Sequence, residues 1–519
     1  MVERYLNLLA HDSGGAPWVY IVSSVRYQEI ESRRTSRPST GLCKTDMKLA
    51  WRGVRTGLAL ALCAVSGPVG AIQDSSANVM APPTHVLSSI VFVRASVVAA
   101  GDLAQRFPQG SQLLRMTPGT QQPVVVLTPE FFAVADPQVS FDGSRLLFAG
   151  QKQRDSIWQI WEISAVGGTA RQVTHCAVGC VRAVYLPTKE IAYTSLRGVG
   201  AARTSDVYVS AESGSDAHAI TFGPGKFEVE TVLRSGRLLL SSTGVDGHAR
   251  VLYVIDPDGS GLALLRQDDG AGEIRGAAEE LADGTILFVK RQTSRATTGA
   301  LEWIHPGALR AVTVRGAESG YASVTTLGDG SLLVSRGGAG ARFDLYHVEL
   351  KGNGAGELLY RDPQGSSVQP VSIAAHAPVE TYRSILHPER RTGRLLCLDA
   401  YASEDVAREQ IDRHVARVRV LAKKQTGELV LGDAPVEVDG SFYATVPADT
   451  PIRLELIGTK GEVVKAQRSW MWVRGGEDRG CPGCHESQAL APENRSPMAL
   501  QRFDTPSSLV GDAWKAVRP

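Results

Sequence analysis

The sequence predicts an all-β protein: a six-bladed β-propeller followed by a small β-sandwich-like domain. Two observations carry this. A strand-turn-strand unit recurs at successive spacings of 46, 47, 48 and 46 residues, the length of a four-stranded propeller blade. The 519 residues include 53 Gly but only 6% aromatics, a balance that many short strands and turns produce. A chain this long also exceeds what one ordinary core can organise, so two or more domains are expected.

The units run in order. "DPQVSFDGSRLLFAGQ" turns at Asp142-Gly143, and "AVYLPTKEIAYTSLR" at Thr188-Lys189. "ETVLRSGRLLLSST" turns at Ser235-Gly236, "AAEELADGTILFVKR" at Asp283-Gly284 and "VTTLGDGSLLVSRG" at Asp329-Gly330. Each pairs an apolar strand with an alternating one across a polar two-residue turn that suits a hairpin. A third strand follows, such as "IWQIWEIS" (157–164) or "VLYVIDPD" (251–258), and a fourth such as "ARQVTH" closes the unit. "SIVFVR" (89–94) through "PVVVLT" (123–128) reads as an irregular first blade, which makes six blades over residues 86–365. An open sandwich of the same strands would not need so regular a spacing. The wording of these units resembles WD40-like repeats of the TolB kind.

Residues 366–480 break the period. "ARVRVLAKK", "APVEVDGSFYATVPADTPIRLELIG" and "GEVVKAQRSWMWV" read as strands, with a hairpin around Asp439-Gly440. A weak helical pattern covers Ala402 to Asp412.

The segment 481–519 opens with "CPGCHE". With 7 Cys and 11 His in the chain, chance gives Cys-x-x-Cys-His about 0.002 times. Cys481 and Cys484 can form two thioether bonds to one haem, with His485 as an axial ligand to its iron. A structural zinc site needs four ligands, and the chain has no second Cys-x-x-Cys. A thioredoxin-like pair would need a βαβ setting. One covalent haem c is the expectation, with His485 as proximal ligand. Met498 and His376 are the distal candidates; packed core is the plain alternative for Met498, and a surface or structural role for His376. With neither compelling, an open or weakly ligated sixth position is expected.

Covalent haem attachment outside the bacterial cytoplasm needs export. Met47 begins "MKLAWRGVRTGLALALCAVSGPVGA": Lys48, Arg52 and Arg55, then the apolar run Thr56 to Val65, then Val69 and Ala71 before a cleavage point at Ile72. Residues 1–46 are therefore expected to be a mis-called upstream extension, 47–71 a signal peptide and 72–85 a linker. Cys63 lacks a lipoprotein context, since Leu62 precedes it. The run is too short to span a bilayer, so the mature chain is expected to be periplasmic or secreted without a transmembrane span. Residues 1–71 carry 9 Lys/Arg and 5 Asp/Glu, which leaves 46 and 49 and a net charge near −3. That gives no electrostatic case for nucleic acid. In an oxidising space a local disulfide is the simplest reading of Cys176 and Cys180; a metal site with His175 is the alternative. Cys397 reads as a buried small hydrophobe. Tyr401 and Trp470 or Trp472 read as packing against the haem or the core, and His387 and His414 as surface or structural residues.

Four stretches carry a closer likeness: "LLCLDAYASE", "LGDAPVEVDGSFYATVPADTPIRLELIG", "QRSWMWVRGGEDRGCPGCHE" and "APENRSPMAL". Together they resemble the hydrazine synthase alpha subunit middle domain family, over roughly 86–505 and most specifically over 430–500. The resemblance implies a six-bladed propeller ahead of a β-rich domain with one c-type haem, in an extracytoplasmic redox protein. Hydrazine synthase itself adds a further haem domain and partner subunits, and has a tyrosine just after the motif that ligates the haem iron. Here residues 486–495 read "ESQALAPENR", without tyrosine, which argues against hydrazine synthesis. The expected function is electron transfer by an exported monohaem protein, with the propeller as platform for a redox partner protein or small-molecule substrate. One alternative is a haem enzyme acting on a small nitrogen or oxygen compound at an open iron site. The other is a propeller binding module with a structural haem.

Overall fold

The computed structural model describes residues 88–511, apart from 102, 199–202, 244–249, 268–272, 275–277, 294, 306–307, 309–310, 338–341, 351–355, 377–379, 403–414, 425–426, 468 and 484–495. The expected extension, signal peptide and linker, and nearly all of the helical pattern after Ala402, lie outside the described residues.

The apolar-alternating units fold into antiparallel four-stranded blades. Blade 2 is Ala133–Val139, Arg145–Gln151, Gln159–Ser164 and Arg171–Gln172 in spatial order. Blade 3 begins at Cys180–Tyr185, blade 4 at Lys226–Val232 and blade 6 at Tyr321–Thr326, each with three further strands outward. In blade 5 the inner strand is split into Glu273–Ile274 and Glu279–Glu280, both paired with Ile286–Arg291. Blade 1 is closed from the far end of the propeller. Its inner strand, Ser366–Ser372, pairs with Ile90–Ala95, followed by Ser111–Met116 and Val125–Val126. That inner strand also contacts the inner strands of blades 6 and 2, so the ring of six is shut.

The sequence boundary at 365 is therefore corrected, because the propeller runs to Ser372. The closing strand pairs with a partner far upstream and has no turn of its own, so a count of repeats misses it. The expected two-residue turns are also corrected. In blades 3 to 6 the loop has three residues, closed for example by Leu233 N–H donating to Arg237 O and Gly236 N–H donating to Leu233 O. The third loop residue sits at positive φ: Lys189 at 62°, Gly236 at 78°, Gly284 at 83° and Gly330 at 82°. This is the type I turn with a left-handed third residue that suits a three-residue hairpin. Gly236 serves a second need, since a Cβ there would collide with Glu380 O of the chain leaving the propeller.

Strand faces explain the continuous apolar runs. Leu238 and Leu240 pack into the core shared by blades 3 and 4, while Leu239 points to the core of blades 4 and 5. Leu332 and Leu333 divide in the same way. A blade strand is covered on both faces, so strict alternation is lost.

The inner strands share an irregularity. Register slips by one residue between Ala135 and Gln138, Val181 and Ala183, Val229 and Thr231, and Tyr321 and Ser323. Asp136, Arg182 and Gln369 there have φ of 54°, 49° and 53°. Bulges of this kind re-aim a side chain, and these turn polar groups into the central channel.

Beyond the propeller, two four-stranded sheets face one another across a common core. One runs Asp478–Cys481, Thr392–Cys397, Phe442–Pro447, Ser507–Ser508; the other runs Glu428–Pro435, Val415–Lys423, Ile452–Gly458, Val463–Ala466. Leu395, Phe442, Ala444 and Val446 of the first meet Val418, Val420, Ile452 and Leu456 of the second. Among the described residues no helix is long and apolar enough to cross a membrane.

Candidate functional site

Cys481 ends the edge strand Asp478–Cys481, which runs parallel to Thr392–Cys397 with Cys481 in register with Cys397. Leu398 N–H donates to Cys481 O, so the pairing holds to the last residue. The Cys481 side chain packs against the sandwich core and is half-buried; its Sγ donates to Gly483 O at 3.0 Å. Cys397 is buried, as expected of a small hydrophobe. Cys484 and His485 lie outside the described residues. The chain leaves one edge of this sheet at Cys481 and returns at the other edge at Ser507.

The run just before Cys481 is clamped to the propeller. Trp472 does not pack in the sandwich: it is fully buried in the core of blades 3 and 4, among Val207, Ile220, Phe227, Leu240 and Leu262. Its ring meets Phe227 edge-on at 5.5 Å between centroids, and its Nε1–H donates to Gly259 O at 3.1 Å. Arg474 lies over the Phe222 ring, 4.8 Å from its centroid, and pairs with Asp449 at 3.2 Å. Glu477 accepts from Arg474 N–H at 2.7 Å and from Gly261 N–H at 3.2 Å. Burial pushes the Glu477 carboxyl up, opposed by Arg479 and these two amides. Arg479 donates to Leu262 O and to Trp472 O. Burial pulls its guanidinium down, opposed by Glu477. Residues 472–479 thus tie the strand of Cys481 to two blades.

The distal candidates are held elsewhere. Met498 opens the short helix Met498–Leu500, is 38% exposed, and its N–H donates to Asp439 Oδ2 of the Asp439-Gly440 hairpin. His376 packs on Phe141 of blade 2 at 5.1 Å, and its N–H donates to Phe141 O. Among the described residues no hydrogen bond or ring contact brings either to Cys481. Tyr401 is buried under the same hairpin, and Trp470 stacks with Lys423 and Arg453. His387 faces Glu389 at 3.3 Å on the surface, while His414 lies outside the described residues. Cys176 and Cys180 are joined, with Cα atoms 5.9 Å apart, at the entry to blade 3.

A second polar constellation escaped the sequence reading. The channel holds a cavity of about 140 Å³, lined by residues of all six inner strands. Arg106 forms two bonds to Asp136, which also accepts from Gln369 and from Arg182 N–H. The Arg182 guanidinium lies 2.6 Å from Glu230 and 3.8 Å from Glu228. Burial works against that guanidinium, but Glu230, Glu228 and Asp136 outweigh it and hold its pKa above the ordinary value. The available signal was a charge in the middle of the inner strands of blades 2, 3 and 4: "VADPQ", "CVRAV", "FEVET".

Residues 398–486, a span that includes Cys481, Cys484 and His485, match the hydrazine synthase alpha subunit middle domain. The hydrazine synthase subunit alpha of Kuenenia stuttgartiensis is 20% identical over 539 aligned residues, 77% of this chain and 66% of that protein. The chain thus spans just under two thirds of that relative's length. The solved Kuenenia stuttgartiensis hydrazine synthase matches with a TM-score of 0.70 at 19% identity, over 80% of this chain and 71% of that one. TolB from Acinetobacter baumannii matches over 55% of this chain and 66% of that one, at 15% identity and a TM-score of 0.39. The large structural overlap with hydrazine synthase shows a shared all-β fold. Residues 398–486, which hold the strand leading to Cys481, are similar to the hydrazine synthase alpha subunit middle domain family.

Proposed function

We propose that this chain is an exported c-type haem protein that moves electrons, with the propeller as platform for its partner or substrate. Cys481 and Cys484 would carry one haem c through thioether bonds, and His485 would be the proximal ligand. The observation that carries the reading is the clamp of Trp472 to Arg479, which fixes the strand of Cys481 against blades 3 and 4. Electron transfer gains from a fixed cofactor, since precise sites need locked supporting residues. The surroundings of Cys481 suit the group. Cys481 is half-buried at the open end of an edge strand, with its sulfur against an apolar core. Bound there, haem supplies a one-electron couple tuned by its axial ligands and surroundings.

The test is expression of the full chain in a host with c-type maturation. Haem that survives acid–acetone extraction is expected, and Cys481→Ser or Cys484→Ser should abolish it. A chain from which acid–acetone removes all haem would overturn the proposal. N-terminal sequencing of the exported protein should begin near Ile72; any residue before Met47 would refute the start assigned here.

One observation favours the enzyme reading. The His376 ring packs on Phe141, and Met498 is held through its backbone N–H by Asp439, which supports an open sixth position able to take a small nitrogen or oxygen compound. Rapid carbon monoxide binding to the reduced protein is expected. A low-spin reduced spectrum unchanged by carbon monoxide would leave a closed electron carrier.

A further inference from the structure

We propose that the buried guanidinium of Arg479 sets the reduction potential of a haem anchored at Cys481, holding it above the value that a neutral side chain there would give. The inference rests on the haem reading above. Arg479 and Cys481 are two apart on the edge strand Asp478–Cys481, in register with the core residues Leu395 and Cys397. Both therefore project from one face of the strand, about 7 Å apart along it. The Arg479 side chain is only 14% exposed. It donates to two neutral carbonyls, Leu262 O and Trp472 O. The carboxylate paired with it, Glu477, stands off at 3.9 Å and accepts instead from the amides of Arg474 and Gly261.

Holding two carbonyls does not require a charge. A buried ion is costly, and apolar side chains of similar volume often replace one without loss of stability. A charge at this position therefore calls for a use beyond the clamp, and its neighbour on the strand is the haem cysteine. Burial is the largest influence on the guanidinium and works against its charge, while Glu477 and then Cys481 favour it. An arginine keeps its proton even so, and the charge is felt at Cys481. The other charges nearby are matched or exposed. Arg237 pairs with Asp256 at 3.0 Å, Arg474 pairs with Asp449, and Asp258 accepts from Ser260 and Ser384. Arg394 and Asp478 pair on the surface, where solvent screens them. Ferric haem carries one more positive charge than ferrous haem. A buried cation beside it therefore favours the reduced form, and the surroundings of the iron are a lever on its potential. A unit charge on the order of 10 Å away, at an effective dielectric of about 20, changes such an equilibrium roughly tenfold.

Spectroelectrochemical titration of the haem-loaded mature chain tests this. Arg479→Gln should shift the balance toward ferric haem about tenfold, which is a fall of about 59 mV for one electron. Arg479→Lys keeps the charge and should recover most of the parent potential. Both should leave the reduced spectrum as in the parent, because no axial ligand is touched. Arg479→Met takes the place of Arg479→Gln if that variant fails to fold. An unchanged or raised potential in the neutral variant would overturn the proposal. So would an equal fall in Arg479→Lys, which would trace the effect to a loosened strand, or a changed reduced spectrum, which would trace it to ligation. Failure of the haem reading is distinct from these: the parent itself would then lose its haem to acid–acetone, and both proposals would fall together.

Discussion

Replacing Trp472 by Ala should loosen the Cys481 strand without opening the propeller ring. The side chain has 0% exposure, and truncating a buried Trp costs about 3–5 kcal/mol through lost burial and the cavity left behind. Within that figure fall the edge-on contacts with Phe222 and Phe227, at 6.0 and 5.5 Å, worth about 0.5–1.5 kcal/mol each. The bond from Nε1–H to Gly259 O falls within it too, at about 1 kcal/mol. These terms overlap and do not sum. Gly261, Leu262, Glu477 and Arg479 share one network with Trp472, so the loss concentrates there. Native-state hydrogen exchange followed by mass spectrometry is the suitable assay, because a multi-domain chain need not unfold in one step. Amides of Asp478–Cys481 and Thr392–Cys397 should exchange about 10²–10³ times faster, while the inner strands of blades 1, 2 and 6 keep their protection. Equal exchange in variant and parent over Asp478–Cys481 would refute the clamp. Uniform acceleration everywhere would show instead that Trp472 supports the propeller as a whole.

Three further outcomes are expected. Arg182→Met should cost about 3–5 kcal/mol, because it leaves Glu228 and Glu230 buried beside one another without their cation; an unchanged denaturant midpoint would count against the network. Glu279 holds its proton to about pH 8 in the fold, against an ordinary value of 4.5. The folded state therefore binds more protons between those values, and stability falls as pH rises through that window, by at most about 1.4 kcal/mol per pH unit. Denaturant midpoints from pH 5 to 9 should show the decline, and Glu279→Gln should flatten it. Finally, unreduced peptide mapping should recover Cys176 and Cys180 as one cross-linked species, and two alkylated thiols there would contradict the pairing.

What the sequence disclosed and what it hid divide along one physical line. Local signals were legible. The turns of the blades repeat because each hairpin needs a left-handed residue at one place, and the motif from Cys481 stands out because two thiols and an imidazole share one short loop. The sandwich hairpin at Asp439-Gly440 was equally plain, since Asp439 caps Ser441 N–H from two residues away. Interactions between distant parts of the chain left no such trace. Ser366–Ser372 closes the ring by pairing with Ile90–Ala95, yet nothing within it tells an inner strand of blade 1 from the first strand of a new domain. Trp472 lies inside "RSWMWVRGG", two residues after Trp470. Trp470 faces Lys423 and Arg453 on the sandwich, while Trp472 faces two blades. Two positions apart on a regular strand the rings would share one face, so their separation onto the sandwich and the blades is decided by how the two domains dock. The channel charges follow the same rule. Asp136, Arg182 and Glu230 each look like a misplaced charge in an apolar strand, and each becomes intelligible only when the ring brings the three strands together. A charged residue in the middle of an otherwise apolar strand is therefore best read together with the same position in the neighbouring repeats. In a closed ring those positions converge, and their charges balance only as a set.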